Sequence, residues 1–198
     1  DPENPVIHGF ANFPGRASNL ILSEDRAIVD YQNGLSILDI GNLDQIQEYS
    51  LDHRLSPRQF RDASLSLSHI SQDTIAFSNR ESGYNICAIN DSMNLDLIGR
   101  MDIPEGSDFT ECDYVDEIAY FTSSMGLHIV DISDRTNPTQ MGFFQSANYQ
   151  SHLDVDNRVA GFRTNHGFQL IDVSDPENPD LFYECDTIDG IREIDIDH

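Results

Sequence analysis

The chain has 198 residues, 38% of them hydrophobic, which is enough to bury a core without help from disulfides or metals. Its 35 acidic and 11 basic residues give a formal net charge of −24, a field that repels nucleic acid and anionic membrane surfaces. No run approaches the roughly 18 consecutive apolar residues of a membrane-spanning helix.

All the basic residues are Arg, and Asp outnumbers Glu 25 to 10. Such a balance suits a saline medium or an extracellular surface; a merely solvated acidic surface and cation binding are the competing readings. The three cysteines, Cys87, Cys112 and Cys185, lack metal-type spacing and read as small buried hydrophobes.

Taken in order, the chain opens on Asp1-Pro-Glu-Asn-Pro5, a turn that returns as Asp134-Arg-Thr-Asn-Pro138 and Asp175-Pro-Glu-Asn-Pro179. Pro5, Pro138 and Pro179 fix the backbone of that turn. Because Asp1 falls inside a recurring segment, the chain is expected to start and stop partway through a repeat, with any leader upstream. A first-strand signal at Leu20 and Leu22 recurs at Cys112/Tyr114, Leu153/Val155 and Ile194/Ile196. A third-strand signal recurs at Gly34–Ile40, Gly83–Ile89, Gly126–Ile132 and Gly167–Val173, the glycines being 49, 43 and 41 residues apart. The extra length of the second copy is an insertion, 52–61. In the copy 134–173, short alternating runs rich in β-branched and aromatic residues mark strands at Met141–Phe144, Leu153/Val155, Arg158–Phe162 and Gly167–Val173. No segment has sustained helical periodicity.

Four strands in every 42 residues or so is the period of a propeller blade. The predicted fold is therefore all-β: a β-propeller of four-stranded antiparallel blades, about 4.5 repeats, part of a five- to seven-bladed ring. A solenoid is the alternative stack. The repeats divide as 1–40, 41–90, 91–133, 134–174 and a partial 175–198, within one propeller domain or fragment. The consensus Gly-Leu-x-Ile-[Val/Leu]-Asp-[Ile/Val]-Ser-Asp-Pro-x-Asn-Pro resembles the LVIVD-repeat family, best at Gly126–Pro138 and Gly167–Pro179. At Gly83–Ile89 the match is weaker because Ala88 replaces the Asp. The resemblance implies a β-propeller and an exported or cell-surface location, and it implies no reaction.

Residues that recur at one position in most blades read as scaffold. Asp39, Asp131 and Asp172 close the third strand, where a short carboxylate accepts hydrogen bonds from turn amides. Residues that break the pattern are the candidates for a site. Loops at one end of a propeller converge on the axis, which gathers Arg16, Arg61, Asp62, Asp108, Glu111, His152, Arg192 and Glu193 as a possible pocket for a polar ligand. These groups can equally line a wet channel and pair with one another. Arg54, Arg58 and Arg61 concentrate positive charge in the insertion and suit an anion or an acidic partner. Asp154, Asp156, Asp195 and Asp197 alternate on strands and offer hard oxygens for Ca²⁺, although no Asp-x-Asp-x-Asp-Gly loop accompanies them.

No nucleophile elbow, His-Glu-x-x-His pattern or phosphate loop is present. The functional expectation is a non-enzymatic binding or assembly module of an exported or cell-surface protein, without a catalytic residue and without a required cofactor. Its partner is a protein, a glycan or a small polar ligand. The alternatives are an enzyme with acid–base and anion-binding groups in the axial pocket, and a building block that associates through open blade edges.

Overall fold

The computed structural model describes residues 10–12, 17–31, 34–42, 45–50, 66–71, 73–79, 83–102, 109–146, 151–156, 158–187, 191 and 194–196. Their regular elements are all strands, and they build four separate four-stranded antiparallel sheets. Each sheet is a meander, because strands joined by short connections pair with their sequence neighbours. Blade 1 comprises β1 (Ala17–Ser23), β2 (Arg26–Tyr31), β3 (Gly34–Asp39) and β4 (Gln47–Ser50). Blade 2 holds β5 (Ser66–Ser71), β6 (Thr74–Asn79), β7 (Gly83–Ile89) and β8 (Leu95–Met101). Blade 3 holds β9 (Phe109–Val115), β10 (Ile118–Ser123), β11 (Gly126–Asp131) and β12 (Thr139–Gln145), and blade 4 holds β13 (Ser151–Asp156), β14 (Val159–Arg163), β15 (Phe168–Asp172) and β16 (Asp180–Cys185). The fold is the β-propeller that the repeat period implies. No helix among the described residues is long and apolar enough to cross a membrane.

The hairpins between first and second strands are two-residue turns. Ser23 pairs with Arg26 and Val115 with Ile118, leaving Glu24-Asp25 and Asp116-Glu117 at the tips. Glu24 and Asp116 take positive φ there (49° and 56°), as the twist of such hairpins demands.

Middle strands are buried on both faces because a blade is sandwiched between two others. Thus Ala119 to Ser123 on β10 and Gly126 to Val130 on β11 are all buried. Alternate residues face opposite neighbours. Tyr120 and Ile129 join a core with Phe162 and Ile171 of blade 4. Phe121 and Val130, one residue along, join a different core with Ala76 and Ile86 of blade 2. A third core links Ile28 and Ile37 of blade 1 to Phe77 and Cys87 of blade 2. Blades 2, 3 and 4 thus each have a front that packs on the preceding blade, and blades 1, 2 and 3 a back that packs on the next. Burying a residue such as Phe121 in this way contributes roughly 2–3 kcal/mol from area removed from water.

Backbone contacts add to these cores. A Cβ at Gly99 on β8 would fall on the carbonyl oxygen of Arg135, in the turn of blade 3. A Cβ at Gly142 on β12 would fall on that of Pro176, in the turn of blade 4. The Asp-x-x-Asn-Pro turn is therefore also the part of blades 3 and 4 that leans on the outer strand before it. The turn carboxylates act as the sequence indicates: Asp39 accepts from Gly41 N–H, Asp131 from Ser133 N–H and Asp172 from Ser174 N–H, at 2.9, 2.8 and 2.9 Å. The Ser133 and Ser174 side chains first, and those N–H groups after them, hold the Asp131 and Asp172 carboxyls below their usual range. The Cys87 and Cys112 side chains are buried and Cys185 is half-buried.

Candidate functional site

The inner strands β5, β9 and β13 stand side by side around the axis, and polar side chains on them reach from one blade to the next. Glu111 on β9 accepts from the Leu153 N–H of β13 at 3.1 Å, and Asp113 accepts from Val155 N–H at 3.0 Å. One blade further on, Asp154 of β13 accepts from the Ile196 N–H. Each bond spans 42 residues, one repeat, so the same register is used twice. An inner strand has a free edge, and its N–H groups need acceptors that no further strand of its own blade supplies. A carboxylate from the preceding blade is that acceptor. Between β5 and β9 the Ser68 hydroxyl donates to the Cys112 carbonyl, and the Tyr114 hydroxyl to that of Ile70, both at 2.8 Å.

Of the axial residues singled out in the sequence, the structure brings together Glu111 and His152, with His Nδ1 3.9 Å from a Glu oxygen. Both are part-exposed, and His152 has a left-handed backbone, φ 54°. Arg16, Arg61, Asp62, Asp108, Arg192 and Glu193 lie outside the described residues, as do Arg54, Arg58 and Asp197. Burial pushes the Asp113 carboxyl above its usual range, against the N–H groups of Tyr114 and Val155 that draw it down, with the nearby Asp154 charge adding to the rise. Among the Ca²⁺ candidates, Asp154 is engaged with Ile196 N–H, and no group of three metal-type ligands forms among the described residues.

Two surfaces emerge that the residue patterns did not single out as sites. The first is the front of blade 1. Registers on the second strand align Leu20 and Leu22 with Cys112 and Tyr114 of blade 3, which sit in the core between blades 2 and 3. Leu20 and Leu22 are instead 55% and 66% exposed. With Phe10, Ala17, Val29 and Ile40 they line an open, mainly apolar groove of about 540 Å³. The first-strand signal of blade 1 matches that of blades 3 and 4, so the pattern of residues does not register that Leu20 and Leu22 stand exposed.

The second is the outer strand of blade 4, where Leu181, Phe182 and Tyr183 are all exposed and Tyr183 tilts against Phe168 with centroids 5.8 Å apart. Tyr183 pairs with Leu170 as Gly142 pairs with Ile129 and Gly99 with Ile86. Blade 4 thus carries an aromatic ring where blades 2 and 3 carry the glycine that admits a neighbouring turn.

The LVIVD repeat matches residues 14–49, 118–146 and 163–187. Blade 2, with Ala88 in place of the repeat's Asp, lies outside those segments. No curated protein matches the chain. Among solved structures, the computationally designed Ika4 protein superposes with a TM-score of 0.63 at 9% identity, over 84% of this chain and 97% of that one. A protein from Lactobacillus plantarum superposes with a TM-score of 0.68 at 12% identity, and a functionally unknown protein from Desulfotomaculum acetoxidans with 0.62 at 14%. Each of these two is matched over 90% of this chain but only 58% of its own length, so the chain spans little more than half of either. At such identities the likeness concerns the fold alone.

Proposed function

For a protein built of LVIVD repeats folded into propeller blades, we propose a non-enzymatic role as a binding and assembly module of an exported or cell-surface protein. The observation that carries this reading is the open front of blade 1, where Leu20 and Leu22 stand more than half exposed above an apolar groove. Contiguous apolar surface of this kind marks an interaction site on a soluble protein. The polar groups of the inner strands support the same reading from the other side. Glu111, Asp113 and Asp154 are occupied as acceptors for backbone N–H groups, which is structural work. The preferred partner is a protein rather than a glycan, because sugar recognition relies on several polar groups and the groove is lined by aliphatic side chains and Phe10 with Asn19 as its one polar side chain, whose Oδ1 already accepts from the Leu20 N–H.

The test uses Nile red, an uncharged dye that fluoresces on apolar surface. The native chain is expected to bind it, and the Leu20→Ser/Leu22→Ser double variant to lose most of that signal while keeping its β-sheet circular dichroism. Equal fluorescence from the two proteins would refute the assignment of the interaction surface to blade 1.

A further inference from the structure

We propose that Glu111 and His152 together bind one divalent transition-metal ion of the zinc type, which ties blade 3 to blade 4 at the axis. The site is separate from the blade 1 groove, and what points to it is a departure from the repeat. The inner hairpins turn after Ser23, Val115 and Asp156. Four residues before each of these, the same place on the inner strand is held by Asn19, Glu111 and His152. Asn19 pairs with Asp30 and Glu111 with Thr122, the residues skipped by the ladder being Ser18 and Thr110, one position earlier. In blade 4 the bulge moves onto His152 itself, which drops out of the ladder between Ser151 and Leu153 and takes φ 54°.

Bulges re-aim a side chain, and a left-handed backbone away from glycine persists only where the surroundings impose it. The other non-glycine residues with positive φ among those described, Glu24, Met93 and Asp116, stand in turns; His152 stands on a strand. The strand is thus distorted at the one inner position where blade 4 carries an imidazole beside a carboxylate of blade 3.

The geometry suits a shared ion. His152 Nδ1 lies 3.9 Å from Glu111 Oε1, too far for a hydrogen bond. Nitrogen and oxygen ligands each about 2.1 Å from a tetrahedral ion stand roughly 3.4 Å apart, so a closure of about half an ångström brings both onto one metal. The carboxylate is already oriented, because its Oε2 accepts from the Leu153 N–H at 3.1 Å while Oε1 faces the imidazole. Such an outer hydrogen bond is the usual support of a ligating carboxylate. Both side chains are part-exposed, so water can complete the coordination. An imidazole in the donor set favours zinc-type ions over Ca²⁺ and Mg²⁺, which take oxygen ligands. Because the two ligands come from β9 and β13, the ion binds only the folded pairing of those strands and stabilises it by mass action.

The experiment is calorimetric titration of the full chain with Zn²⁺ in excess Mg²⁺, which occupies carboxylates that hold hard cations indiscriminately, together with urea midpoints with and without Zn²⁺. The native protein is expected to bind Zn²⁺ and to gain resistance to urea from it. Glu111→Gln keeps an acceptor for the Leu153 N–H, and asparagine tolerates the left-handed backbone in His152→Asn, so both variants should match the native midpoint without Zn²⁺. Each should bind Zn²⁺ at least about tenfold more weakly and lose the Zn²⁺-dependent rise in midpoint. Affinity undiminished in either variant would overturn the proposal, as would a rise in midpoint that survives in both. A native protein that takes up no Zn²⁺ in the presence of Mg²⁺ would overturn it as well.

Discussion

Replacing Gly142 with Ala adds one methyl group and is expected to loosen the contact between blades 3 and 4. The added Cβ would fall on the Pro176 carbonyl oxygen, with Pro179 Cδ 3.2 Å away. That carbonyl cannot swing aside cheaply. The turn is tied by Asn178 N–H to the Asp175 carbonyl at 3.0 Å, and by Glu177 N–H and the Asn178 side chain to the Asp175 carboxylate at 3.2 and 3.0 Å. Relief therefore comes from moving blade 4 outward, which opens the shared core of Tyr120, Ile129, Phe162 and Ile171. Overpacking in a close-packed site costs about 1–3 kcal/mol, and contact with backbone places this substitution near the upper end. A loss of about 3 kcal/mol corresponds to a fall in Tm of roughly 6–12 °C for a chain of this size. Gly99→Ala, which meets the Arg135 carbonyl, should behave alike. Gly161→Ala meets only side-chain ends of Ile196, Leu170 and Ile194, at 2.9 to 3.2 Å, and should cost about 1 kcal/mol or less. Urea and thermal denaturation of the three variants check the ranking. Gly142→Ala with stability within about 0.5 kcal/mol of the native protein would show that blades do not lean on each other through these turns.

Three further outcomes follow from buried groups. His128 is buried between Phe121 and Phe143, with Nε2 2.9 Å from the Ser123 hydroxyl, and burial lowers its pKa to about 4 from 6.5. The unfolded chain takes up a proton below pH 6.5 that the folded chain refuses until about pH 4, so stability from this residue is complete above 6.5 and lost as pH falls towards 4. The loss approaches about 3 kcal/mol, and His128→Gln, compared with the native protein by urea midpoints at pH 7 and 4.5, should lack it. Asp113→Asn keeps an acceptor for Val155 N–H and removes a charge that burial penalises, so at pH 7 its stability should equal or exceed that of the native protein. Asp113→Ala, which strands that N–H, should lose about 1–3 kcal/mol, and chemical denaturation of both variants separates the two effects. Burial pushes the Cys87 thiol up to about 12, so a disulfide reagent at pH 8 should label half-buried Cys185 quickly and Cys87 and Cys112 only on unfolding.

The architecture was legible because it repeats. Gly126–Ile132 and Gly167–Val173 announce the third strand, and the strands observed at Thr139–Gln145, Ser151–Asp156, Val159–Arg163 and Phe168–Asp172 enclose or overlap those read from alternation. The turn role of Asp39, Asp131 and Asp172 was legible for the same reason, since one local geometry recurs at one local pattern. Interactions between blades were harder to read. That Glu111 and His152 lie near each other follows from their place before Cys112 and Leu153, but that Glu111 is spent on the Leu153 N–H depends on how adjacent inner strands are staggered. The same limit hid the front of blade 1. Leu20 and Leu22 carry the pattern of core residues yet stand exposed, and packing between blades is not written in a local pattern.

The excess of Asp over Glu has a structural component that composition alone assigns to habitat. Asp131 and Asp172 accept from the N–H two residues on, as do Asp134 from Thr136 and Asp175 from Glu177. A carboxylate one methylene from the backbone reaches its own turn without adding a rotatable bond, whereas Glu must order another torsion to reach the same N–H. Blades 3 and 4 end the third strand on such a turn and begin the fourth from it, with two acidic acceptors each, whereas blade 2 carries Ala88 and uses the Asn90 side chain as acceptor. The inner strands make a second demand: Asp113 and Asp154 stand where a short acceptor meets the N–H of the next blade. Part of the −24 charge is therefore the sum of local hydrogen-bonding requirements multiplied by repetition. Salt helps such a chain by screening the repulsion that the multiplication leaves over, and it does so wherever the protein resides.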